Sequence, residues 1–494
     1  MRIRSGHRRP LRIGIATVVA GASLLASGGV AQAAEYPSDS TQPDLVKALQ
    51  GYYNAWQPSG KHDMHGTVVN PRVTNWNDRV TSWINQNSTK DQQFRALQNA
   101  MYLDDNRKGY DQSTSIADGL GQTIGRYYAE GRKNGKLPKV DALLNATDGT
   151  SGAYINTDKA KDAFYHPRPY LAADADVPAI PKEDEACAPS KVNASSYVPT
   201  RKGQPWANPD GSLKITRLAP VVDRTHQFSN ADVVLWPAYG DEGLCTGGSF
   251  PSGHTTTVYQ AGITLATLLP ELAPEILTRS SEAANNRMTV GVHYALDIIG
   301  GRISGEAAVA ARVSDAKYRK EVLEPARAEL VNYLEQRCGT TLARCIAKDR
   351  PYRDNPYAGK TIPGGSAQIV YNRKSAVNVY TERLEYGFAP TQSTRLAPSV
   401  PAGSEDLLLT VYPGLNATQR RAILAQTETR SGQLLDTTRL ALDGKAPGSW
   451  QRLNLAAAMS ATVKVDRHGA VKVLSTGGQA KVIKDHVPAG AGGR

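Results

Sequence analysis

Three short segments hold the residue types that bind a tetrahedral anion and attack it. In the first, Lys161 is followed seven positions later by Arg168, which stands between Pro167 and Pro169. The prolines stop a helix, so Lys161 belongs to its last turns and Arg168 to extended chain. A point charge and a planar fork on different backbone geometries can converge on one anion. The second segment runs from Gly247 and Gly248 through Ser249, Phe250, Pro251, Ser252 and Gly253 to His254, just before a helix predicted from Thr255. A Gly- and Ser-rich turn feeding a helix N-terminus presents N–H groups and the positive end of the helix dipole: an anion cradle with a histidine attached. In the third, Arg287 precedes His293, and Asp297 lies four positions further on. On one helical face, Asp297 can hold one imidazole nitrogen and leave the other to attack.

These residues need elements to carry them. From 45 to about 165 the apolar residues recur mostly at helical spacing, as at Phe94, Leu97 and Met101 and at Ile124, Tyr127 and Tyr128, which predicts a helical bundle. Between about 170 and 248 come Pro178, Pro181, Pro189, Pro199, Pro205 and Pro209, the composition of a long ordered loop or lid. Helical patterning returns over 255 to 269, around 290 to 311 and over 317 to 336. Strands over 462 to 465 and 470 to 473, flanking Asp466, Arg467, His468 and Gly469, alternate like a hairpin. The predicted fold is mainly α: a helical-bundle domain over 34–350, a linker over 351–365, a smaller C-terminal α+β extension over 366–484 and a disordered tail over 485–494.

Composition bounds the function. At 494 residues the chain is longer than one core usually supports, so two units are expected. Arg2, Arg4, Arg8, Arg9 and Arg12 precede an apolar run over 13–25 and the small-residue site Ala31, Gln32, Ala33, the pattern of a secretory signal peptide over 1–33. Its loss takes the formal charge from +12 to +7. That balance suits anionic substrates, and the absence of a Lys/Arg-dense run with interleaved aromatics argues against nucleic acid. A mean hydropathy of −0.42 and the lack of a second long apolar stretch argue against a transmembrane span in the mature chain.

Four cysteines in an exported chain favour two disulfides over metal ligation. Cys338 and Cys345 are expected to pair locally, which leaves Cys187 with Cys245 across the long loop. His62 and His65 around Asp63 lack a clear third ligand, so no metal site is assigned. His166, inside the first segment, is given no role.

Taken together and in order, the three segments resemble the three-part signature of the type-2 phosphatidic acid phosphatase superfamily, which includes class A bacterial acid phosphatases and vanadium haloperoxidases. The resemblance covers about residues 161 to 300, and with the helical stretches roughly 45 to 340. One departure stands out: the family commonly has serine before the third-segment arginine, and here that residue is Asn286, whose amide is expected still to donate to phosphate.

The resemblance implies that Lys161, Arg168 and Arg287 bind the phosphoryl oxygens, helped by backbone around Ser252 and Gly253. It implies that His293 attacks phosphorus, Asp297 orients it, and His254 protonates the leaving alcohol and then deprotonates the attacking water. The expected protein is a secreted, metal-independent acid phosphatase for small-molecule phosphate monoesters, working through a phosphohistidine and without a cofactor. Because His293 must be neutral and His254 protonated, a bell-shaped pH profile below neutrality is expected. Two rival readings follow from the same residues. One is a vanadium-dependent haloperoxidase holding vanadate in the same cradle. The other is a surface-binding protein whose bundle is a degenerate scaffold, against which the intact set of polar motif residues argues.

Overall fold

Side-chain caps fix where several of the longer helices begin. The computed structural model describes residues 35–101, 112–442 and 448–484; the expected signal peptide and C-terminal tail lie outside them. Asn70 accepts from the Val73 amide ahead of α1 (Pro71–Asn87), and Thr89 from the Gln92 amide ahead of α2 (Lys90–Ala100). The helices that follow are α3 (Gln122–Lys133), α4 (Asp158–Phe164), α5 (Gly253–Leu268), α6 (Ala273–Val290), α7 (Ala295–Ser314) and α8 (Glu324–Cys338). Asn372 caps α9 (Arg373–Arg383) and Asn416 caps α10 (Ala417–Thr427). The fold is mainly α, and among the described residues no helix is long and apolar enough to cross a membrane.

Helices α5, α6 and α7 pack on one another at the centre, with α2 and α9 against α6. All eighteen residues of α6 are buried. The spacing of α5 and α7 is set by Gly301: a Cβ there would stand 2.6 Å from the Thr255 Cβ and 2.7 Å from the Ser252 carbonyl oxygen. The sequence reading had no helix over 273–290. Arg279, Ser280, Ser281, Glu282, Asn285 and Asn286 interrupt any apolar stripe, because this helix buries polar residues against polar partners instead of presenting one greasy face.

The strands are short. β1 (Trp56–Gln57) pairs with β2 (Thr67–Val68), and β3 (Val221–Asp223) pairs antiparallel with β4 (Val233–Leu235). The last pair belongs to the long segment between the first two motifs, which is ordered as expected. Cys187–Cys245 ties it, and Cys338–Cys345 joins α8 to the short helix after it. At the C-terminal end, β5 (Thr462–Val465) pairs antiparallel with β6 (Val471–Ser475), the expected hairpin, and parallel with β7 (Lys481–Lys484) on its other side.

The boundary expected over 351–365 does not separate two cores, because that stretch carries aromatic residues that go inside. Tyr352 donates to Glu282, and the buried Tyr357 hydroxyl accepts from Asn285 at 2.9 Å. Beyond it, Tyr380, Leu384, Leu407 and Leu455 join the same buried cluster as Ile276, Leu277, Ala308 and Val309. Arg302 donates to the Gln451 carbonyl at 2.9 Å, and Arg373 pairs with Glu275 at 2.7 Å. From Tyr36 onward the chain forms one unit.

Candidate active site

The turn that ends α6 delivers the nucleophile candidate. Gly291 adopts φ +82°, the Gly291 amide donates to the Met288 carbonyl at 2.9 Å and the Val292 amide to the Arg287 carbonyl at 3.1 Å. This paired closure of a helix C-terminus fixes Arg287 in the last turn and turns the chain toward His293. The expectation that His293 and Asp297 share a helical face needs correction. Helix α6 stops at Val290 and α7 starts only at Ala295, so His293 sits in the turn between them. Asp297, in the first turn of α7, folds back instead. Its Oδ2 accepts from the Tyr294 amide at 2.8 Å and lies 3.1 Å from His293 Nδ1. With Nδ1 held as a donor, Nε2 carries the lone pair.

Arg168 meets that nitrogen. Helix α4 ends at Tyr165, whose φ of +35° is left-handed, and the two prolines extend the chain beyond it. The guanidinium donates from Nε to the carbonyls of Leu244 (2.5 Å) and Gly247 (3.1 Å). From Nη1 it donates to the Val292 carbonyl (3.0 Å), and the same nitrogen lies 3.2 Å from His293 Nε2. Lys161, in the last turn of α4, donates its ammonium to the Gly248 carbonyl. A Cβ on Gly253 would stand 4.0 Å from Lys161 Cε, so the α5 N-terminus adjoins the lysine. Ser252 serves that terminus twice: its Oγ accepts from the Thr255 amide at 3.2 Å, and its own amide donates to the Asp297 carbonyl at 3.1 Å. The backbone donor left to the cradle at this turn is Gly253, not Ser252.

All three segments therefore converge. Arg168, Ser252, Arg287, His293 and Asp297 are buried, while Lys161, Gly253 and His254 keep partial exposure. His254 Nε2 lies 3.0 Å from the Ala100 carbonyl oxygen at the end of α2. Burial, then Arg168, Lys161 and Arg287, hold the His293 imidazole well below its ordinary pKa, which favours its neutral form. Burial and Arg287 lower His254 likewise, against the Ala100 carbonyl, which supports its cation. Burial also pulls the Lys161 ammonium down, with Arg168 adding to it. Burial raises Asp297, opposed by the Tyr294 amide, Lys161, Arg168 and the Ser249 hydroxyl. This is a cationic pocket whose electrostatics favour an incoming dianion.

Two expectations change. Asn286 does not face the cradle: its Oδ1 accepts from Gln92, and its Nδ2 donates to Asn99 Oδ1 at 2.9 Å. His166, left without a role, is fully buried behind the site, with Nδ1 2.8 Å from Ser249 Oγ and Nε2 on the Tyr197 hydroxyl. The rings of Tyr52, Trp56 and Tyr294 meet it edge-on. It braces the Ser249 turn, a support that sequence reasoning missed because its partners lie far along the chain. His62 and His65 are taken up locally: the first packs on Tyr165 and the second lies 3.3 Å from Ser195 Oγ.

A helical core sets cationic side chains and a helix N-terminus around a histidine–aspartate pair, and the segment carrying them is recognisable beyond this chain. Residues 150–321 match the family model described as the PAP2 superfamily. Curated relatives bear out the likeness. An "Acid phosphatase" of Zymomonas mobilis subsp. mobilis is 35% identical over 108 residues, 22% of this chain and 40% of that protein. A "Non-specific acid phosphatase" of Providencia stuartii is 34% identical over 99 residues, 20% of this chain and 40% of that protein. The chain thus spans about 40% of the length of each.

Proposed function

We propose that this chain is an exported acid phosphatase that hydrolyses small phosphate monoesters through a phosphohistidine on His293. The observation that carries the reading is the placement of His293, gripped at Nδ1 by Asp297 and offered at Nε2 beside Arg168. Phosphoryl transfer asks mainly for positioning and for stabilisation of charge on the equatorial oxygens. Lys161, Arg168 and Arg287, with the Gly253 amide, supply that stabilisation. Nε2 attacks phosphorus in line, and the leaving oxygen departs toward the exposed side, where His254 protonates it. Water then enters by the same route, gives its proton to His254 and displaces phosphate from His293. The likeness to named acid phosphatases supports the class, and two disulfides suit an exported chain.

The test is hydrolysis of 4-nitrophenyl phosphate from pH 4 to 9 with excess chelator, beside His293→Ala. Activity that survives chelation, peaks in acid and vanishes in the variant is the expected result. An intact protein without hydrolysis that retains vanadate and brominates with peroxide would replace this reading with the haloperoxidase one.

A further inference from the structure

Asn286 is buried and adjacent to Arg287 on α6, and neighbours on a helix point about 100° apart. Arg287 belongs to the cradle, and Asn286 points instead at α2. Its orientation is dictated from behind. Glu282, paired with Arg95 at 2.7 Å and Arg279 at 3.2 Å, accepts from Gln92 Nε2 at 2.8 Å, and the same Gln92 nitrogen donates to Asn286 Oδ1. The Asn286 amide nitrogen is thereby turned onto Asn99 Oδ1. Asn99 in turn donates to the Ser115 carbonyl at 3.2 Å and the Ser115 hydroxyl at 2.9 Å, and its own carbonyl accepts from Gln112 at 3.3 Å. The next residue is Ala100, the last of α2, whose carbonyl receives His254 Nε2. A carbonyl in the last turn of a helix lacks an intrahelical partner and lies at the negative end of the dipole, which suits an imidazolium.

We infer that Asn286 is a positioning residue for the leaving-group acid: through Asn99 it sets the Ala100 carbonyl that holds His254, instead of touching the phosphoryl group. The inference rests on the proposed phosphatase reading and concerns leaving-group protonation within it. With Nε2 held as a donor by Ala100, the proton delivered to the leaving oxygen is the one on Nδ1. Arg287 from α6, Arg168 from the extended chain after α4 and Lys161 from α4 all oppose the His254 cation, and the Ala100 carbonyl works against them.

The experiment compares ethyl phosphate, whose leaving group needs a proton, with 4-nitrophenyl phosphate, whose leaving group does not. Asn286→Ala, Asn286→Ser and Asn99→Ala are expected to lower kcat on ethyl phosphate about tenfold more than on the aryl ester. KM and inhibition by inorganic phosphate should stay within about twofold, and the alkaline limb of the ethyl phosphate profile should move to lower pH. In a His254→Ala background the same changes should leave the ratio of the two esters untouched. A rise in KM for both esters with phosphate inhibition weakened in parallel, and an unchanged ester ratio, would overturn the inference. So would a further selective loss in the His254→Ala background. Wild-type protein that hydrolyses neither ester would remove the phosphatase reading and this inference together, an outcome distinct from either.

Discussion

At the scale of single residues, the proposed division of work between the two histidines follows from their surroundings. His293 is buried and gripped by a carboxylate, whereas His254 keeps partial exposure and is held by a carbonyl. His254→Ala should cost on the order of 10²- to 10⁴-fold on alkyl phosphates and far less on 4-nitrophenyl phosphate; equal losses would remove the acid role. Asp297→Asn keeps an oxygen for the Tyr294 amide but removes the charge that balances His293 in the phosphorylated state. A fall in kcat of about a hundredfold with little change in KM is expected, read from steady-state kinetics on the aryl ester. The pH dependence has a definite sign. In the free protein burial and the neighbouring cations lower both imidazoles, so kcat/KM is lost as pH falls and His293 gains a proton, and lost as pH rises and His254 gives its proton up, with both limbs below the ordinary histidine range. A bound dianion supports both cations, and the kcat profile should therefore lie at higher pH than that of kcat/KM.

Among elements, the turn between α6 and α7 bears most on function. An alanine at Gly291 would hold a left-handed φ of +82° and put its Cβ 2.4 Å from Ile215 Cγ2. Gly291→Ala should lower stability by about 1–2 kcal/mol and reduce kcat by shifting His293, measured by thermal unfolding beside kinetics. The sequence picked out the residues that meet at this turn but not its shape. Residue types and order were enough to single out Arg287, His293 and Asp297, yet a helix was expected to run through 293. A glycine in the left-handed region and an aspartate reaching back to the Tyr294 amide are local signals that the periodicity of 290–311 overrode. Helix α6 was illegible for the opposite reason, since Glu282, Asn285 and Asn286 are satisfied by α2, Tyr352 and Tyr357, partners that no window of sequence contains. The hairpin of β5 and β6 was readable because alternation and a turn sequence are local.

For the whole molecule, buried histidines tie folding to pH. His166 has its pKa held well below 6.5 by burial and then by Arg201. A His depressed in the folded state leaves stability intact above the unfolded value near 6.5. Below it the unfolded chain takes up a proton that the native state refuses, so stability is lost as pH falls toward the folded value. The melting temperature should drop between pH 6.5 and 5. Inorganic phosphate should restore part of it through His254, His293 and Lys161, by about 2.7 kcal/mol at a hundredfold excess over its dissociation constant, while the cost of His166 remains. Truncation after residue 350 is expected to yield aggregated or unfolded protein rather than an active bundle, because Tyr380, Leu384 and Leu407 complete the buried cluster around α6; solubility and circular dichroism would show it.

The placement of that cluster also bears on how the protein comes into being. Every residue of the cradle has been synthesised by Asp297, yet the groups that seal α6 and α7 arrive only with α9, more than seventy residues later along the chain, and with the Leu455 region and β5, more than a hundred and fifty later. Contacts of such long sequence separation form slowly and late. A growing chain therefore carries every side chain of the candidate site for a long interval before it can fold around them. The nascent protein stays open and in need of protection from aggregation until its last third is available.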